Sequence, residues 1–368
     1  MSRFDFNRIV KEPIPLKKTL VLKVDSREPK IEKIQIAADV IKNGGLVAFP
    51  TETVYGLGAD ALNPKAVLTL FKAKKRPLDN PPIVHVGDIK DVSRLSEEVP
   101  SIAEGLMKKF WPGPLTLIFK RSTIVPDVTV CGLDTIAIRM PRHNVALALI
   151  RESECPIAAP SANLAGKPSP TTAKHVLDDL DGRIDAVLDA GPTSIGVEST
   201  VLDMTVDPPQ ILRPGGTPFE ALKELLGKVV LNPVAIAERE LSVEKARSPG
   251  VKHKHYAPNA DVIVVEGKVS AVIDKVKDLV EFYMRKGVRV GILATDETAC
   301  YYKADVVKSL GSRNNLTVIA KNLFRLLREF DLEGVNVIIA EGVPTEGLGL
   351  AVMNRLRKAS GYNIVKTD

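Results

Sequence analysis

Apolar positions along the first half of the chain alternate between helical spacing and short strand-like runs, a pattern that predicts α/β architecture. From Ile31 to Asn43 they recur at helical intervals, stop at Gly44-Gly45, and give way to the strand-like LVAFPT of Leu46 to Thr51. Further helices are predicted over Pro64 to Lys72, Ile102 to Phe110, Asn144 to Arg151, Thr171 to Leu180 and Pro218 to Leu226. Between and around them, strands are predicted at Pro82 to Val86, Leu115 to Lys120, Thr135 to Met140, Ile157 to Pro160, Ala186 to Leu188, Ser199 to Asp203 and Gln210 to Arg213. Short strands with irregular connections imply a twisted mixed sheet.

From Leu231 to Pro258 the periodicity fades, and prolines and glycine punctuate a stretch holding Lys252, His253, Lys254, His255 and Tyr256. It reads as an interdomain linker, either a plain tether or a lid. Beyond it, strand-like runs from Val262, Val288, Val306 and Val335 alternate with helical stretches over Ser270 to Arg285 and Leu316 to Phe330, and an amphipathic helix over Leu350 to Ser360 ends the pattern. This is a smaller, Rossmann-like α/β layer, but no GxGxxG follows its first strand, so dinucleotide binding is not indicated. The chain therefore divides into 1–230, 231–258 and 259–368.

With 368 residues, 45% hydrophobic and 26% charged, the chain is long enough for two cores. A net charge of +6 and a pI near 9.0, with basic residues dispersed among acidic ones, favour a small anionic substrate over a dedicated nucleic-acid binder. The opening MSRFDFNRIVKEPIPLKK has no apolar h-region and no run approaches the ~20 apolar residues of a membrane span, so a cytoplasmic location without membrane contact is expected. Cys131, Cys155 and Cys300 lack the spacing of a zinc site or disulfide framework, and no protein metal site is expected.

The candidate chemistry sits at strand ends, where α/β sheets commonly bind ligands. Thr51 to Gly58 mixes hydroxyls with glycines, either as a ligand loop or as an ordinary turn. Lys74-Lys75-Arg76 would place cations at a helix end that Pro77 stops, suited to phosphates or merely to the helix dipole. His85 interrupts an apolar strand, as a core histidine or as a group facing a pocket. Arg139 lies inside the strand-like IAIRMP, where its cost requires a carboxylate from protein or ligand. Ser161 and Asn163 follow a strand ahead of Gly166 and Ser169, while Ser199 and Arg213 close other strands. No P-loop, HExxH or GxSxG elbow is present, so positioning and charge are expected to matter more than a covalent relay.

Taken in order, TETVYGLG, AKKRPLDNPPIVHV, FWPGPLTLIFK, DTIAIRMPRH, APSANLAGKPSPT, VEST, ILRPGG, SPGVKHKHYAP and EGLGLAVMNRLRKAS resemble the YrdC-type threonylcarbamoyl-AMP synthases, in the longer form with an added C-terminal domain. The likeness covers most of the chain after about residue 31; Ala165 stands where that motif often has serine. It implies a YrdC-like catalytic domain over 1–230, a linker closing over the active site, and a nucleotidyltransferase making L-threonylcarbamoyladenylate from L-threonine, bicarbonate or CO2, and ATP, with release of pyrophosphate. The product would supply N6-threonylcarbamoyladenosine beside the tRNA anticodon. By the same resemblance Thr53, His85, Arg139, Ala159 and Ser199 match threonine-binding positions. Arg76, Asn80, Thr135, Ser161, Ser169, Arg213 and Tyr256 match ATP-binding ones. Lys74, Arg76, Ser161 and Asn163 form the catalytic signature, with Mg2+ accompanying ATP.

Chemically, the carbamate formed from threonine's amine and CO2 must attack the α-phosphorus, and bringing two anions together is the difficulty that Lys74, Arg76 and Mg2+ would offset. Hand-over to a threonylcarbamoyl transferase complex and transient tRNA contact are the expected partnerships. Two other readings are a carbamoyl-phosphate-dependent transferase of the same fold, whose relatives carry zinc fingers while no CxxC occurs here, and a YrdC-like RNA-binding module.

Overall fold

The computed structural model describes residues 18–239 and 255–368. Lys252, His253 and Lys254 of the expected linker, and the opening charged stretch up to residue 17, lie outside the described residues.

The first sheet has eleven strands: β1 (Leu20–Lys23), β2 (Val47–Phe49), β3 (Gly56–Asp60), β4 (Ile83–His85), β5 (Leu115–Lys120), β6 (Thr135–Arg139), β7 (Ile157–Ala159), β8 (Ala186–Asp189), β9 (Thr200–Asp203), β10 (Gln210–Arg213) and β11 (Val230–Leu231). Their order is β1-β8-β2-β3-β7-β4-β6-β5-β9-β10-β11, with parallel and antiparallel pairs interspersed, so the expected mixed sheet is observed. Two apolar cores flank it. One, around Phe49, Val47 and Ile157, lies beneath α1 (Ile31–Lys42) and a helix at Asn144–Glu152. The other, around Leu46, Phe71 and Leu117, includes α2 (Pro64–Lys74).

Local chemistry fixes α2 at both ends. Asn63 accepts from the backbone N–H groups of Lys65 and Ala66, with Pro64 in the first turn, and Lys75 closes the helix in the left-handed region at φ 53°. Two cations are thereby delivered at its end.

Register decides which side chains share a face. In the parallel pair β4–β6, His85 lies opposite Arg139, and in the antiparallel pair β4–β7, Ile83 lies opposite Ala159. Because side chains alternate along a strand, Ile83, His85, Arg139 and Ala159 all project to one side.

The second sheet is parallel throughout, in the order β14-β13-β15-β12-β16, from β12 (Asp261–Glu266), β13 (Val290–Ala294), β14 (Val306–Ser309), β15 (Val337–Glu341) and β16 (Ile364–Lys366). A helix at Val269–Arg285 covers one face, and two helices, Leu316–Glu333 and Gly349–Ala359, pack on the other. The core under those two helices also takes in Val54 and Val197 from the first half, together with Tyr256. Gly196, at φ +86°, makes this junction possible: a Cβ there would stand 2.5 Å from Lys321 Cα and 2.6 Å from the Ala320 carbonyl oxygen.

Several elements escape the apolar pattern. β1 lies in the stretch before residue 31 and pairs with β8; β3 occupies the glycine-rich GLGAD that reads as a loop; and a turn of helix at Pro233–Ile236 lies inside the stretch expected to be a linker. Glycine side chains carry no hydrophobic signal, and four residues are too few for a period to show.

Candidate active site

A cavity of about 340 Å³ opens where the ends of these strands meet, and it gathers residues spread along the chain from Thr51 to Tyr256. Thr53, Lys74, Arg76, Asn80, His85, Arg139, Ala159, Ser161, Asn163, Ser169, Ser199, Arg213 and Tyr256 all line it. Of the residues singled out from sequence, Thr135 does not: it begins β6, on the same side of the strand as Arg139 but beyond the cavity wall.

At one end His85 and Arg139 stand side by side. Burial, with the Arg139 charge adding, pushes the His85 imidazole down to about 3, so it is neutral in the physiological range. Its Nδ1 lies 3.2 Å from the Ile83 carbonyl oxygen. A donating Nδ1 leaves Nε2 as a lone-pair acceptor. Arg139 pairs with Glu52 at 2.7 Å, and donates to Gly113 O and to Thr53 Oγ1, the latter at 3.1 Å. The carboxylate partner left open between protein and ligand is thus present in the protein, one residue before Thr53.

At the other end are cations. Lys74 is almost wholly buried, and desolvation, with Arg76 adding, drops its ammonium well below the usual lysine range. Its Nζ donates to the backbone carbonyls of Ser161 and Asn163, tying the Ser-Ala-Asn turn to the end of α2. Arg76 donates through Nε and Nη2 to Asn80 O, at 3.2 and 2.9 Å, and Arg213 grips Ser199 O in the same two-pronged way. Burial lowers Arg213 to about 10, which leaves it charged at neutral pH.

Two acceptors on the wall have no partner among the described residues: Asn80 Oδ1 and Asn163 Oδ1 are buried without a hydrogen bond. The Asn163 amide orientation is itself fixed, since Nδ2 donates to both Leu164 O and Lys167 O. Ser169 Oγ donates to Glu198 Oε1 at 2.5 Å, and Glu198 Oε2 takes Arg355 Nε at 2.9 Å. Burial alone would raise the Glu198 carboxyl, but Arg355 and Arg213 outweigh it and hold it below its ordinary value. Tyr256, at φ 66°, stacks on Phe324 with ring centroids 5.3 Å apart.

These features match known proteins over nearly the whole chain. A family model described as "Telomere recombination", covering the Sua5, YciO and YrdC proteins, matches residues 39–215, and one described as "Threonylcarbamoyl-AMP synthase, C-terminal domain" matches residues 218–361. A threonylcarbamoyl-AMP synthase of Pyrococcus abyssi is 52% identical over 91% of this chain and 96% of its own length. The chain belongs to the threonylcarbamoyl-AMP synthase family. A second threonylcarbamoyl-AMP synthase, from Bacillus subtilis, is 49% identical over 93% of this chain and 96% of its own. The crystal structure of the P. abyssi protein Sua5 complexed with L-threonine superposes with a TM-score of 0.90, at 50% identity, over 95% of this chain and all of that one.

Within a threonylcarbamoyl-AMP synthase, the residues that sequence reasoning passed over are the partners of the motif residues. Glu52 and Glu198 stand inside quoted motifs, and Arg355 within the last of them, yet none was singled out. A signal was available: a carboxylate adjoining a motif hydroxyl, and an arginine on the apolar side of an amphipathic helix, both call for a buried partner. Asp179 was equally silent. It accepts from Arg328 at 2.7 Å and Lys167 at 3.1 Å, while Arg328 also donates to Pro168 O at 2.6 Å. Among the described residues no helix is long and apolar enough to cross a membrane.

Proposed function

We propose that the chain makes L-threonylcarbamoyladenylate from L-threonine, bicarbonate or CO2, and ATP, releasing pyrophosphate, and is thereby a nucleotidyltransferase that supplies tRNA threonylcarbamoylation. The observation that carries this reading is a single cavity with a neutral imidazole at one end and the buried guanidiniums of Arg76 and Arg213 at the other. One end suits an amino acid, the other a polyphosphate.

Threonine is assigned to Thr53, His85, Arg139, Ala159 and Ser199. His85 Nε2 accepts from the substrate's hydroxyl or amine. Arg139, paired with Glu52, donates to the Thr53 oxygen and so orients that hydroxyl toward the substrate carboxylate. ATP is assigned to Arg76, Asn80, Ser161, Ser169, Arg213 and Tyr256, with Thr135 at the margin. The amine nitrogen adds to CO2 and loses a proton to give the carbamate. A carbamate oxygen then bonds to the α-phosphorus as the bond to the β-phosphate oxygen breaks and pyrophosphate leaves. Lys74 shapes the turn carrying Ser161 and Asn163, while Arg76 offsets the charge that gathers on the phosphates.

Among the described residues no group of three His, Cys, Asp or Glu side chains could hold a metal, and the cavity's one lining carboxylate, Glu198, is committed to Ser169 and Arg355. The described residues thus provide no Mg2+ cage, and a magnesium ion would arrive on the nucleotide's own phosphates. The described end of the linker, 255–258, is proposed to close one side of the cavity, since Tyr256 stands on its wall and Ala257 N donates to Gly166 O at 2.9 Å. Delivery of the labile product to a transferase complex, transient tRNA contact and a cytoplasmic location complete the reading.

The test is incubation with ATP, threonine and labelled bicarbonate. Pyrophosphate release should depend on threonine and label should appear in a threonylcarbamoyl adenylate. Release without threonine would overturn the reading, and carbamoyl-phosphate dependence or strictly salt-sensitive RNA binding without turnover would favour one of the two alternatives.

A further inference from the structure

Arg355 is the largest wholly buried side chain among the described residues, and it lies in the second half of the molecule, on the helix Gly349–Ala359. A buried guanidinium is costly unless it is fully engaged. Apart from a bond of Nη1 to the neighbouring Asn354 Oδ1 at 3.3 Å, the partners of Arg355 lie across the junction. Its Nε donates to Glu198 Oε2 at 2.9 Å and its Nη1 to the carbonyl of Pro214, the residue after Arg213. Its Cζ stands 5.7 Å from the centroid of the Tyr256 ring. Glu198 passes the constraint on, because its other oxygen takes the Ser169 hydroxyl. One side chain therefore touches the supports of Ser169, Arg213 and Tyr256, three residues of the cavity's nucleotide end. Its Nη2 is buried with no hydrogen bond among the described residues, which a contact kept for stability alone would not favour.

We propose that Arg355 is a positioning residue for the nucleotide: through Glu198 and Pro214 the C-terminal domain sets the wall against which the ATP phosphates are held. This rests on the adenylyl-transfer reading and gives the C-terminal domain a task within that reaction. At the amino-acid end His85 and Arg139 are held by Ile83, Glu52, Gly113 and Thr53 and not by Arg355, and only Ser199, beside Glu198 and gripped by Arg213, is shared, so the threonine site should feel the loss of Arg355 less than the ATP site.

The experiment compares the wild-type full chain with R355K and R355Q in steady-state pyrophosphate release, with separate KM values for ATP and threonine, and in equilibrium binding of ATP alone. R355Q should raise the KM and the binding constant for ATP by ten-fold or more while the KM for threonine moves less than three-fold. R355K, which keeps the charge but not the fork, should recover part of the ATP affinity. Thermal melts of each variant fix the folded fraction, and if R355Q does not fold, R355K and E198Q carry the same comparison. ATP affinity within two-fold of wild type in folded R355Q, or in folded R355K and E198Q, would overturn the proposal, as would equal losses for ATP and threonine. Wild-type protein that binds ATP but releases no threonine-dependent pyrophosphate would instead sink the parent reading, with the ATP-binding arm still deciding the role of Arg355.

Discussion

The two sheets each carry a buried polar cluster at strand ends, and the clusters are opposites. In the second sheet, Glu341 at the end of β15 is fully enclosed and fully answered: Oε2 accepts from the backbone N–H and hydroxyl of Thr295 and from Thr298 Oγ1, and Oε1 accepts from the Tyr302 hydroxyl. In the first sheet, cations outnumber the carboxylates near them, and Asn80 and Asn163 hold acceptors that nothing among the described residues meets. A closed network stiffens a fold. An open one is organised around something still to come. The cavity between the motifs points the same way, since Asn80 and Asn163 line it and Glu341 does not.

The sharpest separation of the two comes from R76A against E341A. R76A should lower kcat/KM by a hundred-fold or more, on the order of 3 kcal/mol, as expected for a fixed charge aimed at a transferring phosphoryl group. Its melting temperature should change little. E341A should do the reverse, removing the buried acceptor that Tyr302, Thr295 and Thr298 share and costing about 3 kcal/mol of stability, with the folded fraction retaining wild-type turnover. Parallel melts and pyrophosphate assays check both, and an inactive yet stable E341A would erase the distinction.

G196A tests whether the open cluster depends on the join to the closed half. The added methyl must displace the backbone of Lys321 and Ala320 and sits at a positive φ, so about 2 kcal/mol of destabilisation is expected, together with a rise in KM for ATP. Denaturant titration alongside kinetics would show it. The smallest effect concerns acid. His85 is depressed to about 3 from 6.5, so between those values the unfolded chain binds a proton that the folded one refuses. Stability is therefore whole above pH 6.5 and falls as pH drops toward 3, by at most about 1.4 kcal/mol per pH unit for this group. H85N should flatten that slope without abolishing it, because His175 is likewise lowered, to about 4.

Most of the fold was legible where a strand or helix carried enough apolar side chains to declare its period, as in Leu115–Lys120 or Leu316–Glu333. It was illegible where the signal is carried by backbone, as in GLGAD, or by too few residues, as in Val230–Leu231. For the site, motif order identified the side chains that face the cavity but not the ones that steady them. Glu52, Asp179 and Arg355 act over separations of 87, 149 and 157 residues in the chain, read from their partners Arg139, Arg328 and Glu198, and no local pattern encodes a distance of that kind. His85 shows the limit from the other side: a lone polar residue in an apolar strand said that something was unusual, and only burial and its neighbour said that the ring is uncharged.

The pairing of His85 with Arg139 across two parallel strands has a consequence for how such a chain can vary. Substitution of the apolar neighbours Val84 and Ile138 by similar side chains leaves the alternation intact. Loss or gain of a single residue within Ile83–His85 would instead turn the imidazole toward the packed interior and present a hydrocarbon where threonine is to be met. That short strand can drift in composition but not in length.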